Sequence, residues 1–328
     1  MKYFLEKRIE NQELSSLEAT QALLKIGNGE VNPAQTAAFL TSYAIKPVTV
    51  SELEGFRTAM LQLAVNIDLS DFDAMDVCGT GGDGKDTFNI STTSAFVVAG
   101  AGQKIAKHGN HGVSSAVGSS TVLEHLGIKF SNDSDFLKQK LQTAGICYMH
   151  APLFHPAMRH VGAIRKDLGF KTFFNMLGPL LNPAKVQKQI TGTYNLVVAD
   201  LFADLFNRSQ ATFGIIHSLD GYDEISLTSD FQLITNKGKQ MVSPEFIGFR
   251  KLDPLALGGG NSLKDSAEML INILENKGTE AQMQVVIANA GLALSIAQNI
   301  ILDDALGLAK ESIMSGKARN CLKLLAED

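Results

Sequence analysis

A chain of 328 residues with 45% hydrophobic and 19% charged residues and only 8 prolines is too long for one small core and too apolar for disorder. Its formal charge of −5, from 29 Lys and Arg against 34 Asp and Glu, argues against a broad nucleic-acid surface, so an anionic ligand must be met by donors or a metal gathered locally. No apolar run approaches the ~20 residues that span a bilayer and no signal-peptide core opens the chain, so a cytoplasmic protein without a membrane partner is expected.

The first sixty or so residues read as helices. Ser15 and Glu18 fit a capping box, in which a Ser side chain and a Glu three residues on satisfy each other's backbone donors. Asn32-Pro33 followed by Gln35 is a second start, and Thr49 with Glu52 opens a third helix through Leu53, Phe56, Met60 and Leu63. Three short helices make a thin layer in need of a partner surface, so residues 1–70 are expected to form a helical domain that serves as subunit contact.

The texture changes after about residue 70. An apolar strand over 74–78 runs into glycines, a helix over 91–101 follows, then a strand over 104–107 and a helix over 119–126 stopped by Gly127. Later apolar runs at 196–198, 212–216 and 285–288 are too short for periodicity to separate buried strand from helix core, and the last forty residues read as helical. Repeated strand–loop–helix units suggest an α/β domain over 71–328, with ligands outside the carboxyl ends of a mainly parallel sheet flanked by helices. Cys78, Cys147 and Cys321 form no CxxC pair and no zinc spacing, and reduced thiols are expected.

The densest signal is Cys78-Gly79-Thr80-Gly81-Gly82-Asp83-Gly84. Such glycines allow positive φ and expose N–H groups as an anion nest. Thr87 to Thr93 then supply hydroxyls and an amide at a helix start, where free N–H groups favour phosphate. Neither a Walker loop nor a dinucleotide fingerprint is present. Gly258-Gly259-Gly260 reads as a flexible turn only. A second polar loop, Lys107 to Ser115 and on to Ser119-Ser120, offers an ammonium, amides and hydroxyls. His108, His111 and His125 have no Cys or paired carboxylate nearby, and zinc is not expected. Asp223-Glu224, after an apolar run, are adjacent hard oxygen donors of the kind that share Mg²⁺ with substrate phosphates.

GTGGDGKDTFNIST at 79–92, KHGNHGVSSAVGSSTVLEHLG at 107–127, HAPLFHPAMRHVGAIRKDLGFKTFFNMLGPLLNP at 150–183 and DGYDE at 220–224 together resemble the anthranilate phosphoribosyltransferase family. The likeness spans nearly the whole chain. It implies a small helical domain, joined by a segment near 165–185, and a large α/β domain, usually as a homodimer. The implied reaction is Mg²⁺-dependent transfer of phosphoribose from 5-phosphoribosyl 1-pyrophosphate to anthranilate, in tryptophan biosynthesis.

Carried over by position, the resemblance implies that the pyrophosphate substrate meets Gly79, Gly82, Asp83, Thr87, Asn89, Ile90, Ser91, Thr92, Lys107 and Ser119. The run His108, Gly109, Asn110, His111, Gly112, Val113, Ser114 and Ser115 lines the same ligand. Magnesium falls to Ser91, Asp223 and Glu224, and anthranilate to Gly79, His108, Asn110, Pro152 and Arg165. Lys107, Asp83, Asp223 and Glu224 are the residues expected to carry the chemistry. His155 to Met158 shape the same entrance, whereas Phe173, Phe174 and Met176 read as core. The chain departs from the family's commoner residues at His111 (Arg), Ser120-Thr121 (Ala-Asp) and Lys171 (Arg). Two alternatives stay open: a pyrimidine-nucleoside phosphorylase of the same superfamily, and a non-catalytic relative that binds nucleic acid.

Overall fold

The computed structural model describes residues 1–112 and 117–327, and the capping signals near the N-terminus are where helices begin. Ser15 and Glu18 cap Ser16–Gly27, Asn32 caps Pro33–Ile45, and Thr49 with Glu52 caps Val50–Gln62. A fourth helix, Lys2–Ile9, precedes them without a side-chain cap, which is why no local signal announced it. Its stability comes from packing: Phe4 and Arg8 are buried.

Arg8 explains much of this unit's order. Its guanidinium donates to Glu52 at 3.0 Å, with both side chains at most 1% exposed. Glu52 also accepts from the Leu14 N–H at 3.1 Å, the Tyr43 hydroxyl at 3.0 Å and the Thr49 N–H at 2.9 Å. A carboxylate stripped of water needs this many donors, because a buried charge is tolerated only when paired and hydrogen-bonded.

The helical unit comprises Met1–Ile67 and Ala151–Pro183. Its second segment starts well before the stretch near 165–185 that the sequence suggested, and the reason is packing. Phe173 stacks on Phe56 at 4.2 Å and 15°, with Phe39 and Tyr43 edge-on to it at 6.4 and 5.2 Å. Upstream, Val65 donates to the Phe154 carbonyl at 2.8 Å, and His155 Nε2 lies 2.9 Å from the Leu181 carbonyl. Phe173 and Phe174 are buried, as their reading as core required.

The second unit, Asp68–His150 and Ala184–Asp328, is built on a seven-stranded sheet. Its strands are β1 (Met75–Gly79), β2 (Ile105–Gly109), β3 (Ile146–His150), β4 (Lys188–Gly192), β5 (Thr212–Ser218), β6 (Phe231–Thr235) and β7 (Gly238–Val242). They lie in the order β3-β2-β1-β4-β5-β6-β7. β1 to β5 run parallel, while β6 and β7 add an antiparallel hairpin. The structure thus has a small helical unit and a larger α/β unit with a mixed, mainly parallel sheet.

The ambiguous apolar runs resolve by burial. Residues 212–216 fall in β5, 196–198 open the helix Leu196–Asn207, and 285–288 lie inside Glu280–Gln298. Ile90–Gly100 is almost wholly buried, and with the buried face of Glu280–Gln298 it forms the centre of the core. No helix among the described residues is long and apolar enough to cross a membrane.

Candidate active site

The chain leaves β1 for β2 and β3 on one side, then returns to place β4 on β1's other side. That reversal makes the carboxyl ends of β1 and β4 a topological switch point, where α/β sheets leave a crevice for ligands. The two strands end in register on glycine, Gly79 opposite Gly192. Both glycines answer one demand. A Cβ on Gly79 would stand 2.4 Å from the Asp223 carboxylate, and a Cβ on Gly192 would stand 1.5 Å from the Asp223 carbonyl oxygen. Only glycine lets the loop carrying Asp223-Glu224 descend onto the strand ends. Gly192 carried no signal in the sequence, since its neighbours form no motif.

The first glycine loop meets those acids directly. Gly81, Gly82 and Gly84 adopt φ of +62°, +76° and +73°, which other residues take only with strain. The Gly81 N–H donates to Asp223 Oδ2 at 2.6 Å, and the Asp223 N–H reaches Asp83 Oδ2 at 3.5 Å. The Lys85 N–H closes the turn on Asp83 Oδ1 at 3.0 Å, and the Lys85 ammonium lies 4.7 Å over the Tyr222 ring. On its far side the loop is clamped by the tract expected to be a flexible turn. Gly258 bridges Thr87, the Gly259 N–H donates to Asp86 at 2.9 Å, and Phe88 donates to Leu257 at 3.1 Å. A Cβ on Gly259 would lie 2.6 Å from the Thr87 carbonyl oxygen. The expectation for 258–260 is therefore corrected: its glycines permit close backbone approach. A bridge between residues 87 and 258 leaves no local trace.

Electrostatically the acid pair is under tension. Burial, then the neighbouring Asp83 carboxylate, raises Asp223 above the usual carboxylate range despite the Gly81 hydrogen bond. Burial, then the Asp223 charge, raises Glu224, against the opposing pull of Lys107 and a hydrogen bond with Ser91. No group of three or more His, Cys, Asp or Glu side chains forms a cage among the described residues. Two carboxylates and the Ser91 hydroxyl, all hard oxygen donors with surplus negative charge, suit a cation whose other ligands are water and substrate oxygens.

Lys107 and His108 lie inside β2 rather than beyond it. Lys107 is 3% exposed, its ammonium donates to the Val77 carbonyl, and its charge opposes the rise at Glu224. The His108 N–H donates to buried Asp76 at 3.3 Å. Thr87 is fixed by the Gly258 bridge, and Asn89 stands at the start of Ile90–Gly100. The Asn89 amide does not cap that helix; it donates to the Val117 carbonyl at 3.2 Å. Ile90 and Thr92 side chains are buried in the core, and the Ile90 N–H is taken by the Phe88 carbonyl at 2.7 Å. Gly109 ends β2, with Asn110, His111 and Gly112 exposed beyond it, and Ser119 begins the helix Ser119–His125. Val113, Ser114 and Ser115 lie outside the described residues.

Pro152 and Arg165 belong to the helical unit. Arg165 is not freely solvated there: it donates to Asn175 Oδ1 at 3.4 Å and sits 5.3 Å over the Phe174 ring. Asn175 is itself held by the Thr172 N–H at 3.0 Å. The guanidinium is thus held within the helical unit by one amide oxygen and one aromatic face.

Two family models cover the chain. Residues 2–64 match the helical bundle domain of a glycosyl transferase family, and residues 71–319 match its a/b domain. An anthranilate phosphoribosyltransferase of Flavobacterium psychrophilum is 52% identical over 327 residues, spanning 100% of this chain and 99% of that protein. One from Bacteroides fragilis is 44% identical over 328 residues with the same coverage. Among solved structures, the anthranilate phosphoribosyltransferase of Thermus thermophilus superimposes with a TM-score of 0.92 at 30% identity, covering 98% of each chain. The Saccharomyces cerevisiae enzyme, solved in complex with PRPP and Mg, gives 0.90 at 26% identity, covering 98% of this chain and 96% of its own.

Proposed function

Because the chain belongs to this glycosyl transferase family, through both its helical-bundle and its a/b domain, we infer that it catalyses the phosphoribosyl transfer of its relatives. The reaction joins the 5-phosphoribosyl group of 5-phosphoribosyl 1-pyrophosphate to the amine of anthranilate and releases pyrophosphate, a step of tryptophan biosynthesis. The observation that carries this reading is the pairing of Gly79 with Gly192, which seats Asp223 on the Gly81 amide at the switch point.

Each residue then has work suited to its surroundings. The 79–84 loop and the Lys107 ammonium receive the substrate's phosphate oxygens, and their fixed positions avoid reorganisation as charge develops on the leaving group. Asp223, Glu224 and Ser91 would hold Mg²⁺, which when bound supplies positive charge to the pyrophosphate as it departs. Asp83 acts through the loop geometry it closes. Within the helical unit Arg165, with Pro152 nearby in the same unit, is assigned the carboxylate of anthranilate; within the α/β unit Asn110 and His108 are assigned to the same substrate. Anthranilate's amine is neutral at pH 7 and already nucleophilic, so alignment replaces a strong base. The assembly is a cytoplasmic homodimer through the helical unit, where Ile9 and Ile45 are 81% and 82% exposed; light scattering checks the mass.

The test is a steady-state assay of anthranilate fluorescence loss with 5-phosphoribosyl 1-pyrophosphate, with and without Mg²⁺. Magnesium-dependent consumption with matching pyrophosphate release is expected. Replacing both Asp223 and Glu224 by Ala should lower turnover at least a hundredfold, as loss of a metal site would. Normal kinetics for the double variant across a magnesium titration would remove the metal assignment. No consumption by folded wild-type protein would remove the function.

A further inference from the structure

Behind the second loop, Ser119 heads a line of side chains whose other members have no part in the assigned chemistry. The Ser119 hydroxyl is 3.2 Å from the Asn110 carbonyl and 2.8 Å from the Tyr148 hydroxyl. Tyr148 is also 2.8 Å from the Ser120 hydroxyl, which is 2.8 Å from His150 Nδ1. Ser120, Tyr148 and His150 are buried, at 0%, 3% and 8% exposure. The Ser120 N–H donates a second bond to the Asn110 carbonyl at 3.2 Å. Gly109 completes the fit, because a Cβ there would stand 2.3 Å from the Tyr148 hydroxyl and 2.7 Å from Ser119 Oγ.

Counting protons gives this line a direction. Four links join Asn110 O, Ser119, Tyr148, Ser120 and His150 Nδ1. Three hydroxyls supply three protons. If Nδ1 were an acceptor, one link would set lone pair against lone pair in a buried site. All four are filled when His150 carries its proton on Nδ1, and every donor then points along the line toward the Asn110 carbonyl. Burial, then nearby His111, holds the His150 imidazole below its ordinary pKa, with Glu124 opposing. The neutral Nδ1–H tautomer is therefore the form at neutral pH. The ring is kept in place by Phe130, stacked at 4.8 Å, and by the edge of His111 at 4.8 Å.

We propose that Tyr148, Ser120 and His150 are positioning residues for the pyrophosphate substrate, holding Ser119 and the backbone of Asn110 through one directed hydrogen-bond line. The inference rests on the functional reading above, in which Ser119 and Asn110 meet the two substrates. Tyr148 is its node, the one hydroxyl among the described residues that touches both serines. Removing that hydroxyl frees Ser119 to turn away while Phe130 and the core still hold the ring.

The experiment measures both KM values and kcat for the wild type, Tyr148→Phe, Ser119→Ala and the double variant. Wild-type turnover establishes the reaction separately, so failure of that reading and failure of this one are distinguishable. Tyr148→Phe is expected to raise the KM for 5-phosphoribosyl 1-pyrophosphate about tenfold, the loss of one well-placed hydrogen bond, with kcat within about twofold. In the Ser119→Ala background the same change should add less than about twofold, because its target is gone. An unchanged KM, or fully multiplying effects, would overturn the proposal; a lowered melting temperature alone would leave Tyr148 a merely structural residue. Should Tyr148→Phe fail to fold, His150 gives a second route. His150→Phe keeps the stacking and loses the donor, and should raise the same KM, whereas His150→Asn, whose amide can still donate, should restore part of it. Equal KM values for the two would also refute the directed line.

Discussion

Replacing Gly192 by Ala tests the central geometric claim with a single methyl group. The backbone at Gly192 is not left-handed, so alanine is conformationally allowed and, with open space, would stabilise by about 0.4–1 kcal/mol through the unfolded chain. The space is not open: the new carbon would lie 1.5 Å from the Asp223 carbonyl oxygen. Ordinary carbon–oxygen contact needs at least ~3 Å, so the 223–224 loop or the end of β4 must retreat by roughly 1.5 Å. A displacement of about 1 Å at a catalytic group can cost about a hundredfold in rate, or ~2.7 kcal/mol of transition-state stabilisation. Turnover measured against a magnesium titration should show kcat/KM down by about two orders of magnitude and a higher magnesium requirement. Gly307→Ala is the control, since that helix position has nothing within 4 Å of the new carbon and should gain up to ~1 kcal/mol. If Gly192→Ala keeps wild-type kinetics and melting temperature, the argument that this glycine seats the acid loop fails.

Other consequences are as direct. Arg165→Ala should raise the anthranilate KM at least tenfold while the KM for the pyrophosphate substrate moves little; an unchanged anthranilate KM would end its assigned role. Glu52→Gln leaves the Arg8 charge buried without its partner, and a loss of about 3–5 kcal/mol is expected in urea unfolding of the whole protein. His155 is pushed down by burial to about 4 from an ordinary 6.5. Its unfolded form therefore binds a proton that its folded form refuses, and stability falls as pH drops from about 6.5 toward 4, by up to ~3 kcal/mol. Melting curves for wild type and His155→Asn across that window should diverge in slope by about this amount; parallel curves would contradict it.

Local chemistry was legible at the level of single turns. Ser15 with Glu18, Asn32 with Gln35 and Thr49 with Glu52 each close bonds within four residues, so the chain order alone announces them. The glycine loop was legible for the same reason: the positive φ values of Gly81, Gly82 and Gly84 are properties of four consecutive residues. Lys2–Ile9 was missed because it lacks a cap and depends on Arg8 reaching Glu52, 44 residues away. The capping pattern at Glu52 was itself only half the story, for its other oxygen takes Arg8, Leu14 and Tyr43 in the core.

The sequence by itself therefore determined the first glycine loop, the α/β class and, through its long motifs, the family. Tertiary structure decided which glycines matter beyond the loop. Gly79 and Gly192 face each other because β1 and β4 pair in register, and Gly259 lies on Thr87 because a β-bridge brings residues 87 and 258 together. It also decided that Ser119, Tyr148, Ser120 and His150 form one line, by setting β3 beside β2 and beneath the helix that Ser119 begins. Turns and caps are governed by steric and hydrogen-bond terms between neighbours in the chain, whereas close approach of distant backbones is fixed only once sheet register is chosen.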